Sequence, residues 1–339
     1  MKIKKIFAAF AAAAMAVSFA GCSGGTSSGS TSDSGSTASG TDGGDKVYTI
    51  GICQLVQHEA LDAATKGFKD VLTEKLGDKV KFEEKNAGGE STNCTTICTG
   101  FVASNVDLIL ANATGALQAA SSATATIPIL GTSVTDYATA LSIDNWTGTV
   151  GTNVSGTSDL APLDEQANML LEMFPDVKQV GILYCSAEAN SKYQAVEFGK
   201  ALTNAGVAFK EYSAADSNEI STVTTTAIGE CDVLYIPTDN TMASSTETIR
   251  NIVVPAKIPV IAGEEGICKG CGVATLSISY EDLGRKTGEM AYEILVEGAD
   301  ISTMAVRSAT SDIKKKYNAE ICAELGITPP ADYVAIAAD

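Results

Sequence analysis

The side chains best suited to chemistry in this sequence are small polar and acidic groups that directly follow apolar runs. They fall in the segments 54–58, 112–114, 132–136, 188–191, 238–241 and 264–266. Carboxylates in these segments can accept hydrogen bonds from an ammonium group, and hydroxyl groups can donate to a carboxylate. Charged groups in several segments therefore favour binding of a small zwitterion over binding of a sugar or a nucleoside.

The same residues offer little for catalysis. From residue 46 onwards the sequence contains no G-x-x-x-x-G-K-[ST] loop, no G-x-S-x-G turn and no H-E-x-x-H helix. The single histidine, His58, leaves little scope for histidine-based acid–base chemistry and has no partner at metal-ligand spacing. We therefore predict that the protein is not an enzyme and uses neither a metal nor another cofactor.

The charge of the chain argues against two classes of partner. Asp and Glu outnumber Lys and Arg by 41 to 23, which gives a formal net charge of −18 at pH 7. Such a surface repels nucleic acid and anionic lipid. We expect a monomer without a nucleic-acid function, because a transcription regulator would begin with a helix-turn-helix and a basic face.

The amino terminus has the pattern of an export signal. Three lysines within the first five residues precede the apolar run 6–19, which is too short for a stable membrane-spanning helix. Cys22 follows two small residues, and this pattern resembles a bacterial lipobox, in which the cysteine thiol carries diacylglycerol; a plain secretory signal is the alternative. Residues 23–46 are rich in Ser and Gly and lack large apolar side chains, so we predict a flexible tether with a reach of roughly 25–30 Å.

The nine cysteines include two close pairs, Cys94 with Cys98 and Cys268 with Cys271. The pairs are far apart in the chain and lack a nearby histidine, so we predict no metal site. Cys268 and Cys271 lie in a predicted glycine-bearing loop, where a disulfide is possible in an exported protein. The cysteines in apolar strands are expected to be buried thiols.

Apolar periodicity predicts alternating strands and helices in the remainder of the chain. Predicted strands are 47–55, 80–84, 106–111, 127–131, 179–185, 208–213, 233–237 and 260–262, and predicted helices are 60–76, 92–104, 114–124, 160–173, 191–205, 220–227, 244–253, 283–296 and 319–325. This alternation implies parallel sheets covered by helices on both faces. The pattern restarts after an extended crossing at 150–154, so we predict two lobes. Ligands of such sheets bind beyond the carboxyl ends of the strands, where the polar segments lie, which predicts a cleft between the lobes.

Seven segments carry a family resemblance. They are IGICQLVQHEALDAATKGF (50–68), IPILGTSVTD (127–136), NVSGTSD (153–159), VGILYCSAEANS (180–191), YIPTDNT (235–241), PVIAGEEG (259–266) and YEDLGRKTGEMA (280–291). In this order they resemble the ABC-type solute-binding lipoproteins associated with tryptophan and tyrosine uptake. The chain departs from that family at Glu59, where proline is frequent, and around Trp146.

The resemblance implies a type I periplasmic binding protein-like fold, in which two doubly wound parallel-sheet α/β lobes are joined by a three-crossing hinge. A lipoprotein signal with its lipobox would occupy residues 1–22 and the tether residues 23–46. Lobe 1 would comprise 47–155 plus about 277–302, and lobe 2 would comprise 156–276 plus about 303–339. The hinge crossings would fall near 153–158, 262–276 and 301–307.

The resemblance also implies a function. The protein would be the extracytoplasmic solute-binding component of an ABC importer, held on the cell membrane by lipid on Cys22. It would bind an aromatic amino acid (Tyr, Trp or Phe) between its lobes and deliver it to a permease with its ATPase. The alternatives are another small solute, such as a sugar or nucleoside, and a role as a surface receptor or adhesin.

An α-amino acid as ligand would give each polar segment a role. Its carboxylate needs N–H donors, which the helix starts at Thr114 and at 189–191 can supply. Its ammonium needs acceptors, for which the candidates are Asp136, Glu188, Asp239 and Glu265. An aromatic side chain needs an apolar slot, which could be lined by Leu55, Val134 and Ile267. The full predicted ligand-binding set is Gln54, His58, Asn112, Thr114, Thr132, Val134, Asp136, Glu188, Asn190, Ser191, Asp239, Asn240, Thr241, Glu264 and Glu265.

Plainer roles remain open for several of these residues. Asp136, Asp159 and Asp239 suit helix or turn caps as well as ligand contacts. His58 could be a packing residue, and Glu264 could point to solvent.

Overall fold

The computed structural model describes residues 46–308 and 313–337, so the predicted signal, Cys22 and nearly all of the predicted tether lie outside the described residues. Within these ranges strands and helices alternate, as the apolar periodicity predicts. No helix in the described part of the chain is both long and apolar enough to cross a membrane.

The strands in chain order are β1 (Tyr48–Gln54), β2 (Val80–Asn86), β3 (Leu108–Asn112), β4 (Ile129–Val134), β5 (Val154–Ser158), β6 (Gln179–Cys185), β7 (Ala208–Ala214), β8 (Val233–Ile236), β9 (Val260–Ala262), β10 (Ala274–Ser277), β11 (Arg307–Ser308), β12 (Lys314–Tyr317) and β13 (Val334–Ala335). The helices are α1 (Glu59–Leu76), α2 (Ser91–Ala103), α3 (Thr114–Ala123), α4 (Tyr137–Leu141), α5 (Leu163–Met173), α6 (Ala189–Asn204), α7 (Ile220–Ile228), α8 (Asn240–Ala243), α9 (Thr246–Val253), α10 (Glu265–Cys271), α11 (Tyr280–Leu295) and α12 (Ala319–Leu325).

These strands form two sheets. Sheet one has the order β11-β5-β4-β3-β1-β2, and its strands are all parallel. Sheet two has the order β13-β12-β10-β9-β8-β6-β7, with β12 antiparallel to β10 and the other pairs parallel. The chain returns to sheet one at β11 before it adds β12 and β13 to sheet two. The lobe boundaries stated above remain a prediction.

Each sheet is buried on both faces, which explains the nearly continuous apolar runs in its central strands. In β3, Leu108 and Leu110 pack into one apolar cluster, while Ile109 and Ala111 pack into a second cluster on the opposite face. Strand β6 alternates in the same way between two clusters of sheet two. The core therefore holds the carboxyl ends of the strands rigidly, and these ends carry the polar segments.

The short elements α4, α8, β11, β12 and β13 are not among the predicted ones. Two further parts of the described chain differ from the sequence prediction. The predicted crossing at 150–154 is followed by a full strand of sheet one, because β5 pairs with β4 from Val154 onwards. Cys268 and Cys271 lie on helix α10 and not in a loop, since Glu264 caps that helix by accepting from the N–H groups of Gly266 and Ile267. Both cysteines are buried free thiols in the structure, as are the other described cysteines.

Candidate functional site

Two connected cavities lie where strand ends of sheet one face strand ends of sheet two. The deep cavity has a volume of about 10 Å³, close to the space that one water molecule needs. The outer cavity has a volume of about 290 Å³. Asn190 and Asn240 line both cavities. The two together lie in the cleft between the sheets.

Asp159 supplies a buried carboxylate to the deep cavity. It follows β5 directly and is 5% exposed. The Tyr280 hydroxyl donates to its Oδ2 over 2.8 Å, whereas Oδ1 has no hydrogen-bond partner among the described residues. Burial raises the pKa of the Asp159 carboxyl, and the side chains of Tyr280 and Thr135 oppose that rise. One carboxylate oxygen is therefore free to accept a hydrogen bond from a ligand.

His58 presents a second acceptor to the deep cavity. Its Nε2 lies 3.2 Å from Oδ1 of Asn240, whose Nδ2 donates to Glu188 over 2.7 Å. The Glu188 contact fixes the orientation of this amide, so Nε2 of His58 must carry the proton and donate it to Oδ1. Burial lowers the pKa of His58, which keeps the ring neutral. Nδ1 is consequently an unprotonated acceptor, and it has no partner in the described part of the chain.

Ser133 reaches the deep cavity through an irregularity in β4. The pairing of β4 with β5 shifts between Gly131 and Val134, and Ser133 has a φ of 54°. Such a bulge changes the direction in which a strand side chain points. The Ser133 side chain is buried, and its Oγ also lacks a partner among residues 46–308 and 313–337. Three residues that line this small cavity, namely Asp159, His58 and Ser133, therefore each carry a buried polar atom without a partner in the described part of the chain.

Asp239 and Glu264 line the same cavity but are engaged as helix caps. Asp239 accepts from the N–H of Met242 over 2.8 Å and from that of Cys185 over 2.6 Å. Burial, followed by the charge of the nearby Glu188, raises the pKa of Asp239 to about 8. Burial raises the pKa of Glu264 to about 7, against the opposing effect of its two N–H bonds. These carboxyls tune the electrostatics of the cavity, and their oxygens already have partners.

Glu188 anchors the wall of the outer cavity. Its two oxygens accept from the backbone N–H and side chain of Asn240, from the N–H and hydroxyl of Thr241, and from the side chain of Asn190, over 2.7–3.2 Å. A carboxylate with five donors has little capacity left for a ligand. Its position explains why the start of α8 is held against α6.

Three helix starts border the outer cavity without a side-chain cap. These are α2, which begins at Ser91, α3, which begins at Thr114, and α6, which begins at Ala189. The N–H groups of an uncapped first turn and the positive end of the helix dipole attract a carboxylate. Thr114 is 3% exposed and lines the cavity, and its Oγ1 has no partner within the described ranges.

The structure brings together about half of the predicted site residues. Those lining the two cavities are His58, Thr114, Glu188, Asn190, Asp239, Asn240, Thr241 and Glu264. Those that line neither are Gln54, Asn112, Thr132, Val134, Asp136, Ser191 and Glu265.

The second group has other partners. Gln54 bonds to Asp62 and Thr65, Asn112 donates to Leu61 and Thr65, Thr157 donates to Thr132, Ser191 accepts from Asn190, and Val134 packs in the core. Asp136 caps α4, and Glu265 forms an ion pair with Lys316.

Five polar residues of the deep cavity are absent from the predicted set, namely Ser133, Thr135, Asp159, Thr238 and Tyr280. A signal for Asp159 exists, because it follows a strand in the same way as the other polar segments. Ser133 and Thr135 lie within the polar segment 132–136, but the alternation of a regular strand does not predict which of them faces the cavity.

The two sheets contact each other across the cleft. His58 meets Asn240, and Nε2 of Gln194 donates to Oγ1 of Thr135 over 3.4 Å. Lys269 and Glu59 form an ion pair of 3.2 Å between α10 and α1. These contacts close the cleft around the deep cavity.

Comparison with known proteins adds to this geometry. Residues 49–339 match the family model described as ABC transporter substrate binding protein. A tyrosine-binding protein of Clostridioides difficile (strain R20291) is 37% identical over 264 residues, which cover 77% of this chain and 76% of that protein.

Two solved structures are also similar. An ABC domain from Streptococcus pneumonia in complex with L-Trp is 32% identical, covers 84% of this chain and 97% of its own, and has a TM-score of 0.80. A ligand-free, open substrate-binding protein with adhesive properties from Clostridium difficile is 36% identical, covers 86% of this chain and 100% of its own, and has a TM-score of 0.66. The predicted α/β fold class is confirmed.

Proposed function

The chain belongs to the family of ABC transporter substrate-binding proteins, and on that premise we propose that it binds an aromatic amino acid in the cleft between its sheets for delivery to a membrane permease. The observation that carries this proposal is the set of atoms without partners in the deep cavity. Asp159 Oδ1 and His58 Nδ1 are acceptors, and Ser133 Oγ can act as one.

These three atoms match an ammonium group, which has three N–H donors and no acceptor. Buried polar atoms in folded proteins almost always have partners, so a cluster of three without partners indicates a missing donor. The Asp159 carboxylate would balance the positive charge, since a buried charge is costly unless it is paired. A sugar or nucleoside lacks a cation for this position.

The carboxylate of the ligand would lie toward the outer cavity. Thr114 follows β3, and β3 is the neighbour of β4, which carries Ser133. Neighbouring strand ends are about 5 Å apart, so the ammonium and carboxylate of one α-amino acid can reach both places. The uncapped N–H groups of α3 and α6 would donate hydrogen bonds to the carboxylate, and this supports an amino acid over a simple amine.

The relatives support an aromatic side chain and a closed state. One is named for tyrosine binding, and one solved relative holds L-Trp. The chain is more similar in structure to the Trp complex than to the open, ligand-free relative, although its sequence identity to the open one is slightly higher. The greater structural similarity to the ligand-bound relative supports a cycle in which the ligand shifts the cleft from open to closed.

Isothermal calorimetry of the purified protein with Tyr, Trp and Phe tests the proposal. We expect binding of at least one of them and no binding of 3-(4-hydroxyphenyl)propanoate, which keeps the ring and carboxylate but lacks the ammonium. Absence of heat with all three amino acids would refute the aromatic ligand, and equal binding of the propanoate would refute the ammonium site.

We also propose that the protein is exported and held on the extracytoplasmic face of the cell membrane by lipid on Cys22. The pattern of residues 1–22 supports this placement, and the acidic composition supports a domain that does not itself bind anionic lipid. Two acyl chains hold a protein stably, where one does not. Metabolic labelling with radioactive palmitate should mark the wild type and not Cys22→Ala; label retained in the variant would remove the anchor.

A further inference from the structure

The outer cavity is the part of the cleft that a ligand's side chain can occupy. The deep cavity has room for little more than the ammonium, and Asn190 and Asn240 form part of its wall and of the wall of the outer cavity. We propose that the outer cavity holds the side chain and that Gly115 sets the largest side chain it admits. This inference rests on the proposed function and adds a residue that determines specificity.

Gly115 is the second residue of α3, and a helix position with glycine is less stable than the same position with alanine. The fold does not require glycine there. A Cβ on Gly115 would meet only the two methyl groups of Leu55, at 3.5 and 3.7 Å, which is ordinary van der Waals contact. By contrast, a Cβ on Gly51 would lie 2.6 Å from the ring of Phe101. The space over Gly115 is instead part of the outer cavity, which Gly115 and Leu55 both line.

The walls around this space suit an apolar ring. Leu55 and Val56 line it from the end of β1, and Ala187 and Ala189 line it from the loop after β6 and the start of α6. The small side chains on the second wall leave the cavity wide, at about 290 Å³, which is large enough for an aromatic ring. The rest of this cavity is lined by polar residues, including Glu90, Gln118 and Asp216. In binding pockets the apolar part of the wall limits the size of the ligand, while placed polar groups fix its orientation. A larger side chain at 115 would narrow the cavity from the α3 side.

The test compares Gly115→Ala and Gly115→Leu with the wild type by calorimetry against Trp, Tyr and Phe, with the melting temperature of each ligand-free variant. We expect Gly115→Leu to lower the affinities for Trp and Tyr at least tenfold. Gly115→Ala should cause a smaller loss that is greatest for Trp, the largest ring. Both variants should melt at or above the wild-type temperature, because glycine is replaced by a better helix former without a clash.

Gly100 provides the matched control. It lies in helix α2, is exposed, and has nothing within 4 Å of an added Cβ. Gly100→Ala and Gly100→Leu should raise helix stability in the same way and leave all three affinities within twofold.

The result that overturns the inference is a Gly115→Leu variant with the three affinities within twofold of wild type. In that case the wild type would still bind, so the proposed function would stand and only the position of the side chain would be wrong. If Gly115→Leu does not fold, the inference is overturned by a Gly115→Ala variant whose three affinities are all within twofold of wild type. A wild type that binds none of the three amino acids would instead refute the proposed function directly.

Discussion

Replacement of Asp159 by asparagine is expected to lower the affinity for the aromatic amino acid by a factor of about 100 or more. The carboxylate is 5% exposed and has one oxygen without a partner in the deep cavity, where the ligand's ammonium would lie. Removing one partner of a buried charge pair costs about 3–5 kcal/mol, because the other charge is left uncompensated. Calorimetry or equilibrium dialysis with the preferred ligand measures the loss.

The same substitution should leave the ligand-free protein at least as stable as the wild type. Asparagine has the shape of aspartate, and its oxygen can still accept the hydrogen bond from the Tyr280 hydroxyl. Burial raises the pKa of Asp159, which means that the ionised form is disfavoured without ligand. An unchanged or higher melting temperature together with lost binding would separate a ligand contact from a folding defect.

Asp136→Asn is the matched control for this prediction. Asp136 also follows a strand of sheet one, but its carboxylate accepts from the N–H of Thr139 over 2.7 Å and lines neither cavity. Asparagine is an equally good helix cap, so stability and affinity should both stay near wild type. If Asp159→Asn binds as well as Asp136→Asn, then Asp159 does not hold the ammonium.

The contrast between these two aspartates shows how far the sequence predicts the site. Asp136, Asp159 and Asp239 all follow strands, and the sequence alone permits a cap or a ligand contact for each. The structure shows that Asp136 is a cap and that Asp239 is a cap that also lines the deep cavity. Of the three, only Asp159 has a buried carboxylate oxygen without a hydrogen-bond partner among the described residues. The distinction depends on which N–H group each carboxylate reaches, and that is a tertiary property.

The positions of the central strands along the chain are more predictable from the sequence than the site. Central strands such as β3 and β6 are apolar on both faces, so their sequence indicates a buried parallel strand without further information. The orientation of Ser133 cannot be inferred from strand periodicity, because Ser133 lies in a bulge. The bulge breaks the alternation from which the two faces of a strand are assigned. The α10 cysteines were assigned to a loop because glycines flank them, whereas the cap at Glu264 and packing favour a helix.

The deep cavity also predicts how the protein responds to pH. Three buried carboxyls, those of Asp159, Asp239 and Glu264, line it beside the neutral His58 and the hydroxyl of Tyr280. The nearby lysines form ion pairs with other carboxylates, Lys269 with Glu59 and Lys316 with Glu265. Burial therefore raises the pKa of each of the three carboxyls, to about 8 for Asp239 and about 7 for Glu264.

We expect the ligand-free protein to lose stability as the pH rises from 5.5 to 9. A carboxyl with a raised pKa holds its proton in the folded state at pH values where the unfolded chain, with a carboxyl pKa of about 4, has already lost it. The folded state then binds more protons than the unfolded state, so stability falls with rising pH until the folded pKa is passed. For Glu264 alone the loss of stability between pH 5.5 and the folded pKa of about 7 is on the order of 2 kcal/mol. Thermal unfolding at pH 5.5, 7 and 9 measures it.

Ligand binding should make the ionised form of Asp159 the favoured one. An ammonium beside Asp159 stabilises the ionised carboxylate, so complex formation releases a proton below the pKa that Asp159 has in the free protein. Calorimetry in two buffers with different protonation enthalpies counts the released protons, and Asp159→Asn should abolish the release. A melting temperature that stays constant from pH 5.5 to 9, with no proton release on binding, would show that the carboxyls are ionised without ligand. The protonation that we predict for the free protein would then be wrong, whereas the ammonium site itself is tested by the affinity of Asp159→Asn.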